Sequence, residues 1–155
     1  VCLKKNSASD RENAASTEKK VSAGLREMSM ELPVPGILES PFGVFESKIF
    51  SYKKQKIEEK KYTKWFDYDK IKNSPCVRTR RQGDYLTVNS EGGRKKLNRI
   101  FIDEKIPAEM RDRLPVVAVG SEILWIPGGR MNEKYKITST TGRVLELHYQ
   151  GGVLT

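Results

Sequence analysis

Arg78, Arg80 and Arg81, three arginines within four positions of "VRTRRQGDYL" (Val77–Leu86), are the first residues whose type and spacing point to chemistry. A guanidinium grips phosphate or carboxylate through two parallel N–H donors. A cluster of them on a strand-like run, stopped by Gly83-Asp84, has two readings. It either meets an anionic partner or pairs internally with Asp84, Asp103 or Glu104. Asp84 is placed to hold one arginine while the others face outward. A second cluster lies in "EGGRKKLNRIF", where Gly92 and Gly93 precede Arg94, Lys95, Lys96 and Arg99. If a helix opens there, its free N–H groups and partial positive charge suit phosphate, and the glycines let an anion approach the backbone. The alternative is a loop followed by a solvated basic face. GxxxxGK[ST] is absent, so this is not a Walker loop. Arg111 and Arg113 in "PAEMRDRL" pose the same choice, since Glu109 and Asp112 lie beside them. "IPGGR" (Ile126–Arg130) reads as a tight turn or a site of close backbone approach, and Trp125 as core or as a stacking surface.

Catalytic and metal chemistry find little support. His148 is the single histidine and has no CxxC or second histidine beside it, so no zinc site is expected. No Ser or Cys pairs with it, and no catalytic residue is assigned. Asp67, Asp69 and Asp84 could form a phosphate-ester hydrolase site only if they converged on a metal.

Composition favours the anion reading. The chain has 155 residues and a net charge of +9, from 29 Lys and Arg against 20 Asp and Glu. Such an excess favours nucleic acid, because each phosphate contact releases counterions. No run approaches the roughly 20 apolar residues that span a bilayer, and no signal peptide opens the chain, so no membrane partner is expected. Two cysteines, Cys2 and Cys76, do not make a disulfide framework, which predicts a reducing cytoplasm. The sequence begins at Val1, which reads as a piece of a longer protein.

The elements that must position these residues follow from pattern and turn chemistry. Residues 1–24, poor in large apolar side chains, read as a linker or the end of a preceding region. Residues 25–64 read as a hairpin segment with a charged connector. "MSMEL" alternates like a half-buried strand, and "GILES" and "GVFESKIFSY" flank a turn at Ser40-Pro41-Phe42-Gly43. Residues 65–152 form the third segment. There Trp65, Phe66, Tyr68 and Ile71 turn inward while Asp67 and Asp69 alternate outward. "VRTRR" reads as a strand. Leu97, Ile100 and Phe101 share a helix face, and Pro107 begins a second short helix. "VVAVG" and "EILWI" make a hairpin at Gly120-Ser121. "KYKITST" and "RVLELHYQ" make a last one at Thr141-Gly142. The fold class is α+β: mostly antiparallel strands and hairpins with two short central helices.

In order, "WFDYDKI", "VRTRRQGDYL", "GGRKKLNRIFIDEKIP", "RDRLP" and "ILWIPGGR" resemble the C-terminal domain of bacterial tRNA(Ile)-lysidine synthetase, over roughly residues 65–152 and more loosely from Leu25. The resemblance implies a part that recognises tRNA(Ile), around the acceptor stem, and works with an N-terminal catalytic domain of the same parent. That parent uses ATP and Mg to activate a wobble cytidine and attaches lysine to it. The catalytic phosphate loop, S-G-G-x-D-S, is missing here: "EGGRKK" and "PGGRMN" lack its serines and aspartate. By position, Arg78, Arg80, Arg81, Lys95, Lys96, Arg99, Arg111 and Arg113 match the family's basic and motif positions as RNA-contact candidates, with Gly92 and Gly93 as the phosphate-approach loop. The rival reading is an interdomain or protein-interaction module whose arginines are structural ion pairs.

Overall fold

The computed structural model describes residues 29–58 and 60–151. Alternating apolar residues build two antiparallel-rich sheets. The strands are β1 (Ser29–Glu31), β2 (Gly36–Ser40), β3 (Gly43–Ser51), β4 (Thr63–Asp67), β5 (Cys76–Arg78), β6 (Tyr85–Thr87), β7 (Arg94–Lys96), β8 (Val116–Val119), β9 (Glu122–Trp125) and β10 (Arg143–Gln150). Two helices, α1 (Leu97–Asp103) and α2 (Ala108–Arg111), sit between β7 and β8. The larger sheet runs β1-β5-β8-β9-β6-β7, and the smaller runs β2-β3-β10-β4. The β6–β9 pair is parallel; the other pairings are antiparallel.

Two apolar layers hold these elements. Phe45, Phe66, Val77, Val117, Leu124, Trp125, Leu145 and Leu147 fill the space between the sheets. Leu86, Leu97, Ile100, Phe101, Val116, Ala118 and Ile123 join the larger sheet to α1. Period two explains why adjacent residues serve different layers: Val117 faces the first core while Val116 and Ala118 face the second. Trp125 is fully buried beside Phe66, so it belongs to the core and offers no stacking surface.

Several local expectations are corrected. The strand at "VRTRR" ends at Arg78, so Arg80 and Arg81 lie in the turn that follows. Arg94–Lys96 do not open a helix. They pair with Tyr85–Thr87 as β7, because the hairpin satisfies their backbone groups with a ladder. The final hairpin does not form either. Lys136–Thr140 stay outside any strand, and β10 pairs along its length with β3 and over Val144–His148 with β4. Asp67 is buried rather than outward, since its carboxylate caps the 3₁₀ turn Tyr68–Lys70 by accepting from Asp69 N at 3.2 Å.

Tyr135 closes the first core at the end of a short 3₁₀ turn, and its hydroxyl donates to Glu122 at 2.8 Å. Burial, and then that hydrogen bond, push its phenol well above its ordinary value of 10.0. The unfolded chain therefore releases this proton first. The contribution is fully present below the unfolded pKa and is lost as pH rises above it. The melting temperature should fall as pH rises past the ordinary value of 10.0, and Tyr135→Phe should flatten part of that fall; parallel curves for the two proteins would contradict it.

Candidate nucleic-acid interface

The arginine cluster divides at its first member. Arg78 is 1% exposed and Asp84 is 3% exposed. The guanidinium grips the carboxylate with two bonds, Nη1 to Oδ2 and Nη2 to Oδ1, both 2.9 Å. It also donates to the carbonyl oxygens of Thr79 at 2.9 Å and Gly120 at 2.8 Å. Asp84 in turn accepts from the Arg81 backbone N–H at 2.6 Å, and its own carbonyl accepts from Leu97 N, the first residue of α1, at 2.9 Å. One ion pair thus ties together β5, the loop to β6, the β8–β9 turn and the start of α1. Buried and held by four hydrogen bonds, Arg78 presents no group to an outside phosphate.

Other candidates are also engaged inside the domain. Arg80 donates to Asp112 at 2.8 Å and to Asn98 at 2.7 Å, fastening its turn to α1 and the end of α2. Lys95 and Arg99 share Asp103 at 2.6 and 3.3 Å. The hydrogen bond from Lys95, with the two positive charges, holds the Asp103 carboxyl below its ordinary value. Arg111 donates to the Ile106 carbonyl at 2.9 Å. Arg130 of the "IPGGR" turn donates to the Val88 carbonyl.

The loop at Gly92-Gly93 is not a phosphate cradle. It is the turn of the β6–β7 hairpin, and Asn89 occupies its amides. Gly93 N donates to Asn89 Oδ1 at 2.9 Å, and Gly92 N to the Asn89 carbonyl at 3.2 Å. The α1 helix starts later, at Leu97, and is only seven residues long.

What remains open is a different set. Arg81, Arg94, Lys96 and Arg113 make no ion pair among the described residues. Two of them, Arg94 and Lys96, lie beside Tyr85, and Arg81 precedes it in the chain. Arg81 lies in the turn that leads into it, the Arg94 guanidinium sits 4.6 Å from its ring centroid, and Lys96 pairs with it across the ladder. Strand alternation sends Arg94 and Lys96 to one face and Lys95 to the other, toward Asp103. Partial burial, and then the Arg78 charge, depress the Arg81 guanidinium below its ordinary value. Arginine stays protonated even so, and a bound anion would relieve the crowding. Arg94 belongs to the basic cluster read after Gly93 but not to the RNA-contact candidates matched by position to the family. The signal for it was the symmetric "YLTVNSEGGRKK", a hairpin pattern that sets Arg94 and Lys96 on one side.

The three aspartates of a conceivable hydrolase are held apart by separate tasks. Asp67 caps a turn, Asp84 pairs with Arg78, and exposed Asp69 accepts from Gly142 N at 2.8 Å. Among the described residues, no three His, Cys, Asp or Glu side chains cluster as a metal requires. No helix among them is long and apolar enough to cross a membrane.

Comparison with known proteins converges on one family. Residues 76–147 match the family model described as "TilS substrate C-terminal domain". A solved structure, "Crystal structure of TILS C-terminal domain", superposes with a TM-score of 0.68 at 33% identity, covering 80% of this chain and 96% of that one. A tRNA(Ile)-lysidine synthase of Caldanaerobacter subterraneus subsp. tengcongensis is 50% identical over 88 residues, 57% of this chain and 19% of that protein. One from Clostridium perfringens is 38% identical over 110 residues, 70% of this chain and 23% of that protein. The chain thus spans about a fifth of the length of these curated relatives.

Removing one partner of a buried pair leaves an uncompensated charge. Arg78→Ala should therefore destabilise the fold by about 3–5 kcal/mol, seen as a lower urea midpoint at similar slope. A loss under about 1 kcal/mol, the value of an exposed pair, would show that the pair carries no such weight.

Proposed function

The chain belongs to the TilS substrate C-terminal domain family, and from that premise we propose that it is the tRNA-binding accessory domain of a tRNA(Ile)-lysidine synthase. In this reading it helps to hold tRNA(Ile) while a catalytic domain of the same parent attaches lysine to the wobble cytidine. ATP and Mg act in that catalytic domain. The observation that carries the reading is the trio Arg81, Arg94 and Lys96 near Tyr85. Arg94 and Lys96 lie on the β6–β7 hairpin and Arg81 in the turn before it, without carboxylate partners, in a stretch where Arg78, Arg80, Lys95 and Arg99 are all paired. A rigid basic face suits duplex RNA, which proteins read through its shape, its phosphates and its 2′-hydroxyls.

A structural ion-pair role, the part of the rival reading that concerns these cations, describes Arg78, Arg80, Lys95 and Arg99 well, because their acceptors lie within this domain. It does not describe the trio. The two roles therefore separate by residue.

Binding to tRNA(Ile) should weaken linearly on a log-log salt plot. Replacing Arg81, Arg94 and Lys96 together by Ala should lower the steepness by about two to three, with an unchanged far-UV spectrum. Arg80→Ala should lower the melting temperature slightly and leave the affinity within about twofold. Undiminished binding by the folded triple variant would remove these residues from the interface.

A further inference from the structure

Away from the basic trio, a groove of about 740 Å³ runs between α2, the "IPGGR" turn and the end of β10. Its walls include Tyr62, Arg113, Leu114, Pro127, His148 and Tyr149. The groove is mostly apolar, yet its fringe carries only positive or neutral groups: no aspartate or glutamate lines it among the described residues. Two tyrosines give it aromatic character. Tyr149 is the fixed one, since its hydroxyl donates to the Phe42 carbonyl at 2.5 Å and its ring packs 4.7 Å from Phe45. Tyr62 is the accessible one, 43% exposed. Its backbone is nonetheless anchored, because its carbonyl accepts from Tyr149 N at 2.9 Å.

The turn "IPGGR" explains how Tyr62 is seated. Gly128 has φ +82, and a Cβ there would lie 3.0 Å from Tyr62 Cε1. The glycine thus serves both the left-handed turn and the close passage of the ring. Two cations lie at this site. Lys61 Nζ lies 5.5 Å from the Tyr62 ring centroid, and exposed Arg113 lines the groove. Arg113 remains available because Arg80 pairs with the adjacent Asp112.

An accessible aromatic ring beside apolar walls, with unpaired cations and no acids, is the complement of one nucleotide: a flat base and an anionic phosphate. We propose that this groove receives an unpaired, single-stranded nucleotide of the bound RNA. Its base packs against Tyr62 and the Leu114–Pro127 wall, and its phosphate meets Arg113 and Lys61. The inference rests on the RNA-binding reading for its ligand class but on separate residues. Stacking tolerates sequence, so the slot selects an unpaired nucleotide rather than a particular base.

The test uses the full 155-residue chain and two RNA hairpins, one blunt and one with a single-stranded extension of four adenosines, compared by fluorescence anisotropy at fixed salt. The extension should tighten binding about tenfold. Tyr62→Ala should erase that gain and Tyr62→Phe should keep it, with the blunt hairpin bound equally by all three proteins. Arg113→Ala, at an exposed position, should cut the gain about threefold and serves even where Tyr62→Ala does not fold. A wild-type chain that gains nothing from the extension, or a gain that survives both Tyr62→Ala and Arg113→Ala, overturns the slot. If the gain is absent and Tyr62→Ala instead abolishes self-association, the groove belongs to a second copy of the chain. Binding of the extended hairpin alone, with the blunt one unbound, supports the slot and counts against the basic trio. Failure of both hairpins defeats both.

Discussion

The Arg78–Asp84 ion pair is the contact on which the arrangement of the larger sheet depends. Desolvating two charges is expensive, and a buried pair repays it only when the geometry is excellent and the remaining hydrogen-bond sites are filled. Here two parallel bonds join the groups, and the guanidinium also donates to two carbonyls. Those carbonyls and the Asp84 main chain belong to different elements, so the pair sets where the β5–β6 loop, the β8–β9 turn and α1 lie relative to one another. One guanidinium N–H, at Nε, is buried without a partner, a sign that position rather than complete satisfaction decides this site.

From that contact the other cations sort themselves. Asp84 holds Arg78, Asp112 holds Arg80, and Asp103 holds Lys95 and Arg99. Three carboxylates thus neutralise four cations of the sequence's most basic region. Arg81, Arg94, Lys96 and Arg113 are left as outward charge on elements whose positions the ion pairs fix. The sequence "RTRRQGD" therefore combines two functions, and the spacing of its acids separates them. Arg78 is six positions before its partner and shares its buried corner, whereas Arg81 has only its backbone N–H committed to the same carboxylate.

Much of the fold was legible where local chemistry decides it. The β2–β3 and β8–β9 hairpins followed from alternation and turn residues, and their partners are close in the chain. What depended on distant pairing was not legible. Strand β10 finds β3 and β4 rather than the neighbouring Lys136–Thr140, a choice made by the shared core of Phe45, Phe66, Leu145 and Leu147. The helix spacing of Leu97, Ile100 and Phe101 was real, but it invited extension back through Lys96, where hairpin pairing prevails. At the candidate site the residue types were visible, and their roles were not. Nothing in the order of three arginines marks the first as buried, and the glycines that suggested an anion loop are held by Asn89. Tyr62 gave no signal in a charged connector, because its place depends on Gly128, far along the chain.

The division between structural and partner-facing arginines is open to direct measurement by an arginine-selective dicarbonyl reagent, with the extent of modification at each residue read by mass spectrometry in the presence and absence of tRNA(Ile). Arg78 should be inert in both states. Arg81 and Arg94 should react in the free protein and be protected by the RNA, while Arg80 should change little. Modification of Arg78 in the folded protein, or undiminished reaction of Arg81 and Arg94 under saturating RNA, would contradict the division.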